Sequence, residues 1–366
     1  MPIVNYSLLK NNNLYKGIRN WDDNNYWYIR SDGNTKLVVP PKIISSNFVI
    51  TVCTEFEGHV TIVEQIYKEL VIELGIAPNR ILLISENADL SECILNTAKQ
   101  HDTDPINYEW SLISQLVIKR QVIKNLSNLK NIRPKTNVSN KYFLNFNRRW
   151  RMHRPALVGL LHASGLLDKG HVSLGQADGM HDNWLTVIDH IIFLLEKDEM
   201  LIKLIKDNIE SITNINPLYL DTNLLMPSRA GLYHDDIDPI ITENLYKDTA
   251  FSLVTETYFF DNEGRVFTEK TYKPISYHHP FILVTKPFSL KLLRELGYQT
   301  FHPFIDESYD EEVDHAKRMR MILTEVEKLC SMTDDDLSLF LKNVQPITDH
   351  NFNRLITKVP SIYKKL

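Results

Sequence analysis

The sequence predicts an α/β protein made of two Rossmann-like domains facing across a cleft. Short apolar runs of strand length recur in both halves of the chain, and most are followed by a segment with apolar residues at helical spacing. Between the halves lies a polar stretch, 130–140, with the composition of an interdomain linker. At 366 residues the chain is long enough for two cores, since single cores rarely grow beyond about 250 to 300 residues. The expected division is residues 1–135, residues 140–330 and a C-terminal helical segment, 331–366.

Residues 1–40 are polar and aromatic, with turn-rich stretches at Asn11-Asn12-Asn13 and after Trp21. Trp21, Tyr26, Trp27 and Tyr28 read best as an edge of an N-terminal core, with base stacking as the alternative. Phe48 to Cys53 then reads as a buried strand, Val60 to Leu74 as an amphipathic helix and Arg80 to Ser85 as a second strand. Two strands joined in this way form a βαβ unit and should run parallel. Leu112 to Leu129 reads as another helix. After the linker come a strand at 141–146, helices from Pro155 and from Trp184, a strand from Ala250 to Glu256, a helix opened by Glu269-Lys270, and a strand at 281–285.

Two segments carry chemistry. The first is the loop after the 141–146 strand, Asn147-Arg148-Arg149-Trp150-Arg151-Met152-His153-Arg154, with four arginines and a histidine just before a helix. Open α/β sheets hold phosphorylated ligands between a strand's C-terminal end and a helix start, and the planar guanidinium suits phosphate oxygens. The plainer reading is a solvated basic turn. The second is Phe267-Thr268-Glu269-Lys270-Thr271-Tyr272-Lys273-Pro274-Ile275, directly before the apolar run Pro280 to Val284. Its carboxylate can accept from ribose hydroxyls and its ammonium can face a diphosphate, with the helix N-terminus adding partial positive charge. Here the plainer reading is a threonine cap with Glu269 complementing the helix dipole.

With both segments in view, residues 140–325 resemble the C-terminal half of GT-B glycosyltransferases, most closely the α1,3-fucosyltransferase type. They look even more like a family of viral and bacterial proteins of glycosyltransferase type that share an Asn-Arg…His-Arg segment, a Glu-Lys-Thr-aromatic-Lys-Pro-Ile segment and a Leu-Gly-Tyr/Phe-x-Thr-Phe segment. The last of these is Leu296-Gly297-Tyr298-Gln299-Thr300-Phe301 here. The resemblance implies a sugar donor bound as its nucleoside diphosphate, without cofactor or bound metal. Its expected donor-binding residues are Asn147, Arg148, Arg151, Arg154, Glu256, Thr268, Glu269, Lys270 and Lys273. The N-terminal domain would face the acceptor and supply a general base. Glu55, Glu57 and His59 follow the strand ending at Cys53, where α/β sites collect catalytic groups, and Glu86 and Asp89 stand in reserve. The expected acceptor is a hydroxyl on a glycan or lipopolysaccharide, or on hydroxymethylcytosine in phage DNA.

Composition narrows the field. The formal net charge of −5 argues against a protein that holds nucleic acid by bulk charge. The competing binding reading is local: Arg148, Arg149, Trp150, Arg151, His153 and Arg154 as a basic, aromatic nucleic-acid platform. A non-catalytic module that binds sugar nucleotide is the third reading. Cys53, Cys93 and Cys330 lie far apart without metal-ligand spacing, as in a protein of a reducing cytoplasm, the host's if the source is viral. The start lacks a signal-peptide pattern, and the greasiest stretch, Leu185 to Ile205, carries too many charges to span a membrane. The acidic run Asp306 to Glu312 reads as dipole compensation for the next helix plus a solvated face, and His234-Asp235-Asp236 and His278-His279 lack metal-ligating geometry.

Overall fold

A computed structural model describes residues 26–31, 36–54, 60–129, 131–134, 141–147, 150–174, 184–216, 218, 220, 239–260, 263–357 and 362–364. The chain forms two compact units. The first comprises residues 1–121, 262–269 and 358–366, and the second comprises 122–261 and 270–357. Each contains a mainly parallel sheet with helices between its strands.

The first unit starts with β1 (Tyr26–Ser31), a strand that the turn-rich composition of residues 1–40 concealed. It lies at the sheet edge and pairs in parallel with β2 (Val49–Thr54). The chain then enters helix α1 (Thr61–Ile66), which continues as a π-helix over Tyr67–Glu73. One regular helix was expected here. Its buried residues are 62, 66, 70 and 63, 67, 71, a repeat of four that exceeds the 3.6 of an α-helix, so the wider coil keeps the stripe on the core. Next come β3 (Ile81–Ser85), α2 (Leu90–Gln100), β4 (Asn107–Trp110) and α3 (Ile113–Lys124). Strands β1 to β4 lie side by side in chain order, all parallel. Every residue of β3 is buried, as expected of a parallel strand covered on both faces. Residues 262–269 are tied to this unit through Arg265: its carbonyl accepts from Ala88 N at 2.9 Å, and its guanidinium grips the Asp89 carboxylate at 2.6 and 2.9 Å. Gly264 is needed there, because a Cβ would lie 2.0 Å from the Asn87 amide.

The second unit carries β5 (Phe143–Asn145), α4 (His153–Ala163), β6 (Gly170–Val172), α5 (Trp184–Leu194), α6 (Glu199–Asp207), α7 (Pro239–Lys247) and β7 (Phe251–Thr255). Helix α8 (Glu269–Ser276), β8 (Phe281–Val284), α9 (Ser289–Glu295), α10 (His315–Cys330) and α11 (Asp334–Ile356) complete it. Pro155 sits in the first turn of α4, where no intrahelical N–H is required. The stretch from Leu185 to Ile205 divides at Asp198, whose carboxylate accepts from Leu201 N at 3.1 Å and caps α6. Among the described residues no helix is long and apolar enough to cross a membrane. The Leu-Gly-Tyr segment is the stop of α9. Gly297 at φ +86° sends its N–H to Arg294 O and the next residue's N–H to Leu293 O, the paired bonds of a Schellman motif.

The four strands stand in the order β6-β5-β7-β8, all parallel. The chain steps from β5 outward to β6, then crosses to the other side of β5 for β7 and β8. The final strand, β9 (Ile362–Lys364), returns to the first sheet and pairs antiparallel with β4.

Candidate functional site

In an open parallel sheet, ligands bind beyond the C-terminal ends of the strands where the strand order reverses, because the two flanking loops there diverge to opposite faces. The parallel strands of the first sheet keep chain order and have no such point. In the second sheet the reversal falls between β5 and β7. The basic loop and, from Lys270 on, the second chemically marked segment belong to the same unit as this sheet. The basic loop leaves the C-terminal end of β5, and α8 follows the C-terminal end of β7.

The floor of this crevice is a buried polar layer. Asn145 Nδ2 donates to Leu253 O at 2.5 Å, tying β5 to β7. Asn147, also fully buried, donates through Nδ2 to Ser173 O at 3.0 Å and accepts from the Thr255 hydroxyl, while its N–H reaches Ser173 Oγ at 3.1 Å. One side chain thus ties the ends of three neighbouring strands. Arg154 is 2% exposed, and its Nη2 donates to Thr255 O and Glu256 O, both at 3.1 Å. His153 Nε2 donates to the same Glu256 carbonyl at 2.9 Å, since a carbonyl can only accept. The Glu256 carboxylate, equally buried, accepts from Thr271 Oγ1 of α8 at 2.5 Å and links β7 to that helix.

Four of the expected donor residues are buried: Asn147, Arg154 and Glu256 in this polar layer, and Thr268 just before α8. Arg151 is exposed, and Glu269, Lys270 and Lys273 are half-buried on the first turns of α8, leaving these four at the surface. Arg148 lies outside the described residues, as do Arg149, Glu55, Glu57 and His59. The reserve bases take structural roles. Glu86 caps the start of α3 by accepting from Ser114 N at 2.6 Å and Ser114 Oγ at 2.9 Å, and Asp89 is bound to Arg265. The surface nucleic-acid platform loses His153 and Arg154, which are 1% and 2% exposed.

Cations act on the buried imidazole of this layer. Burial holds the His153 pKa well below its ordinary value, and the cations of Arg154, Arg151 and Arg318 press it lower, so the imidazole is neutral. The fields of three arginines therefore reach one ring. Arg318 is a participant the sequence did not signal. It lies on α10, 1% exposed, over the Phe259 ring at 4.3 Å, and Phe259 stacks on His153 at 5.1 Å. Cations fixed in a desolvated layer project more field than solvated ones, which suits an anionic ligand above them.

Acidic residues elsewhere cap helices. Asp310 accepts from Leu290 N and Lys291 N at 2.9 and 3.1 Å and so caps α9, the preceding helix, while Asp314 caps α10. The acidic run was expected to compensate the following helix. Its buried Asp310 serves the one before, because the loop folds back onto it. Among the described residues no group of three or more His, Cys, Asp or Glu side chains is placed to hold a metal ion, and His234-Asp235-Asp236 lies outside them. The three cysteines are unbridged, with Cys53 and Cys330 buried.

The chain matches no family model, and no curated protein matches it. Among solved structures it is similar to the DNA-modifying enzyme beta-glucosyltransferase, determined in the presence and absence of its substrate uridine diphosphoglucose. The two share 10% identity at a TM-score of 0.33, over 83% of this chain and 72% of that one.

Proposed function

We propose that this protein is a glycosyltransferase that moves a sugar from a nucleoside diphosphate to a hydroxyl acceptor, with the diphosphate held beyond β5 and β7. The observation that carries the reading is the coincidence of strand-order reversal and positive charge. Among the described residues, the crevice at the strand-order reversal of the second sheet is flanked by the arginine loop and by the helix opened by Glu269-Lys270. In this reading Arg151, Lys270 and Lys273 neutralise the diphosphate, and Arg148 joins them from the same loop. Glu269 accepts from the ribose hydroxyls. Asn147, His153, Arg154, Glu256 and Thr271 hold those groups in place. The enzyme is of hexosyl-, pentosyl- or fucosyltransferase type. Glu55, Glu57 or His59, after β2, is assigned the acceptor's proton. The competing platform reading is weaker, since two of its six members face the interior.

The test is titration calorimetry of the full chain with UDP, GDP and their sugar conjugates. Lys270→Ala and Arg151→Ala should each weaken nucleotide binding by roughly tenfold to a hundredfold, about 1.5 to 3 kcal/mol for a charge-assisted bond. Their melting temperatures should stay at the parent value, because neither side chain is buried. Unchanged nucleotide affinity in both variants would overturn the donor site.

A further inference from the structure

A second recess lies at the opposite end of β8, beside Pro280, which directly precedes that strand. It has a volume of about 430 Å³, within the range of small-molecule sites. One wall is a face of α11, with Lys342, Gln345 and Thr348 at intervals of three, and the other carries Arg133 and His278. Pro346 lies in this stretch of α11 and supplies no N–H, so the Lys342 carbonyl has no intrahelical donor beside the recess.

His278 is the informative residue. Its backbone is left-handed at φ +53°, a conformation a non-glycine residue holds only where its surroundings impose it. The imposition is visible. The ring stacks on Phe352 at 4.2 Å, and Nδ1 lies 2.9 Å from Asp349 Oδ1, while the Arg133 guanidinium binds the same oxygen at 2.8 Å. Neither ring nitrogen makes a well-aligned hydrogen bond within the described residues, and since a carboxylate only accepts, the ring proton sits on Nδ1, the nitrogen that faces Asp349. That leaves Nε2 as a bare acceptor. It is buried, with the residue 3% exposed, and finds no hydrogen-bond partner among the described residues. A buried acceptor left unsatisfied costs about 1 to 3 kcal/mol, a cost that a ligand's hydroxyl would remove.

We propose that this recess binds a small hydroxylated anion, a sugar phosphate or a hydroxycarboxylate, with its charged group between Arg133 and Lys342 and a hydroxyl donating to His278 Nε2. Lys342, the Arg133–Asp349 pair and one orphaned acceptor leave a net positive charge and an unmet acceptor, which call for a ligand carrying both an anionic group and an O–H donor. Leu341 and Val344 supply the apolar wall against which its carbon skeleton packs. The site is separate from the crevice beyond β5 and β7 and does not depend on the glycosyltransferase reading.

The experiment is calorimetry and imidazole-detected NMR on the full chain with glucose 6-phosphate, malate and neutral glucose as probes. Glucose 6-phosphate or malate should bind and shift the His278 ring resonances, and glucose should bind at least tenfold more weakly. Which of the two anions binds tells phosphate from carboxylate. Lys342→Glu, at an exposed position that cannot endanger the fold, should weaken binding about tenfold or more, since it reverses a contact charge. Lys270→Ala should leave it unchanged. The proposal is overturned if neither anion binds, if the His278 signals stay still on binding, or if affinity falls with Lys270→Ala and persists in Lys342→Glu.

Discussion

Arg154 sits one residue from His153 at the start of α4, yet its guanidinium reaches over to carbonyls about one hundred positions later in the chain. Such a side chain is a structural brace. Arg154→Ala would take the side-chain donor from the Thr255 carbonyl and leave the Glu256 carbonyl to His153 alone in a buried layer, and should lower unfolding free energy by about 1 to 3 kcal/mol in urea titrations. Loss of nucleotide binding without loss of stability would show that Arg154 touches ligand instead. His279 offers a second test. Its Nε2 donates to Thr249 O at 2.9 Å and its Nδ1 faces Ser252 Oγ at 2.8 Å, and burial lowers its pKa to about 4. The unfolded chain, with an ordinary histidine pKa near 6.5, takes up the proton first as pH falls. Stability from this residue is therefore whole above about pH 6.5 and drains toward pH 4, by up to roughly 1.4 kcal/mol per pH unit. His279→Gln should flatten that part of the pH–stability curve measured by denaturant unfolding. At this scale the sequence displayed residue type but not orientation. An arginine beside a strand end is legible as an anion ligand, whereas its burial depends on carbonyls that only the folded sheet brings near.

Elements were legible where a run of apolar residues was long enough to stand out. Strands β2, β3, β7 and β8 lie within a residue or two of the runs ending at Cys53, Ser85, Glu256 and 285. Strands β4 (Asn-Tyr-Glu-Trp) and β6 (Gly-His-Val) escaped notice because three or four residues of mixed polarity make no pattern. Helix α2 also escaped, although its buried Leu90, Ile94, Thr97 and Ala98 fall at helical spacing, since a threonine in the stripe blurs it. The crevice was readable through its two flanking segments. The cross-ties of its floor were not, because Ser173, Thr255 and Arg318 come from three other elements. Capping gives a prediction at this scale. Thr333 opens α11 in a capping box with Asp336, each side chain bonding the other's backbone N–H. Thr333→Ala should cost about 1 kcal/mol, visible as a fall in melting temperature, and Thr333→Ser should restore most of it.

On the scale of the whole molecule, a net charge of −5 sets the background against which any charged acceptor must bind. If the acceptor is duplex DNA, transfer with saturating donor should fall steeply as salt rises, with close to one unit of log–log slope for each phosphate neutralised. Transfer to lipopolysaccharide or another glycan should vary far less. Sugar incorporation into hydroxymethylcytosine DNA, unmodified DNA and lipopolysaccharide, at low and high salt, separates these outcomes, and incorporation into none would sink both acceptor proposals. The path of the chain through its first unit bears on biosynthesis. Strand β4 emerges from the ribosome early, but β9, its antiparallel neighbour, is translated about 250 residues later, roughly 10 to 50 s at about 5 to 20 residues per second. For that interval the nascent polypeptide carries a sheet margin with unpaired amides, the kind of edge that recruits stray strands. Residues 362–364 thus act as a closing stitch, and a polypeptide lacking them would keep that margin open for good.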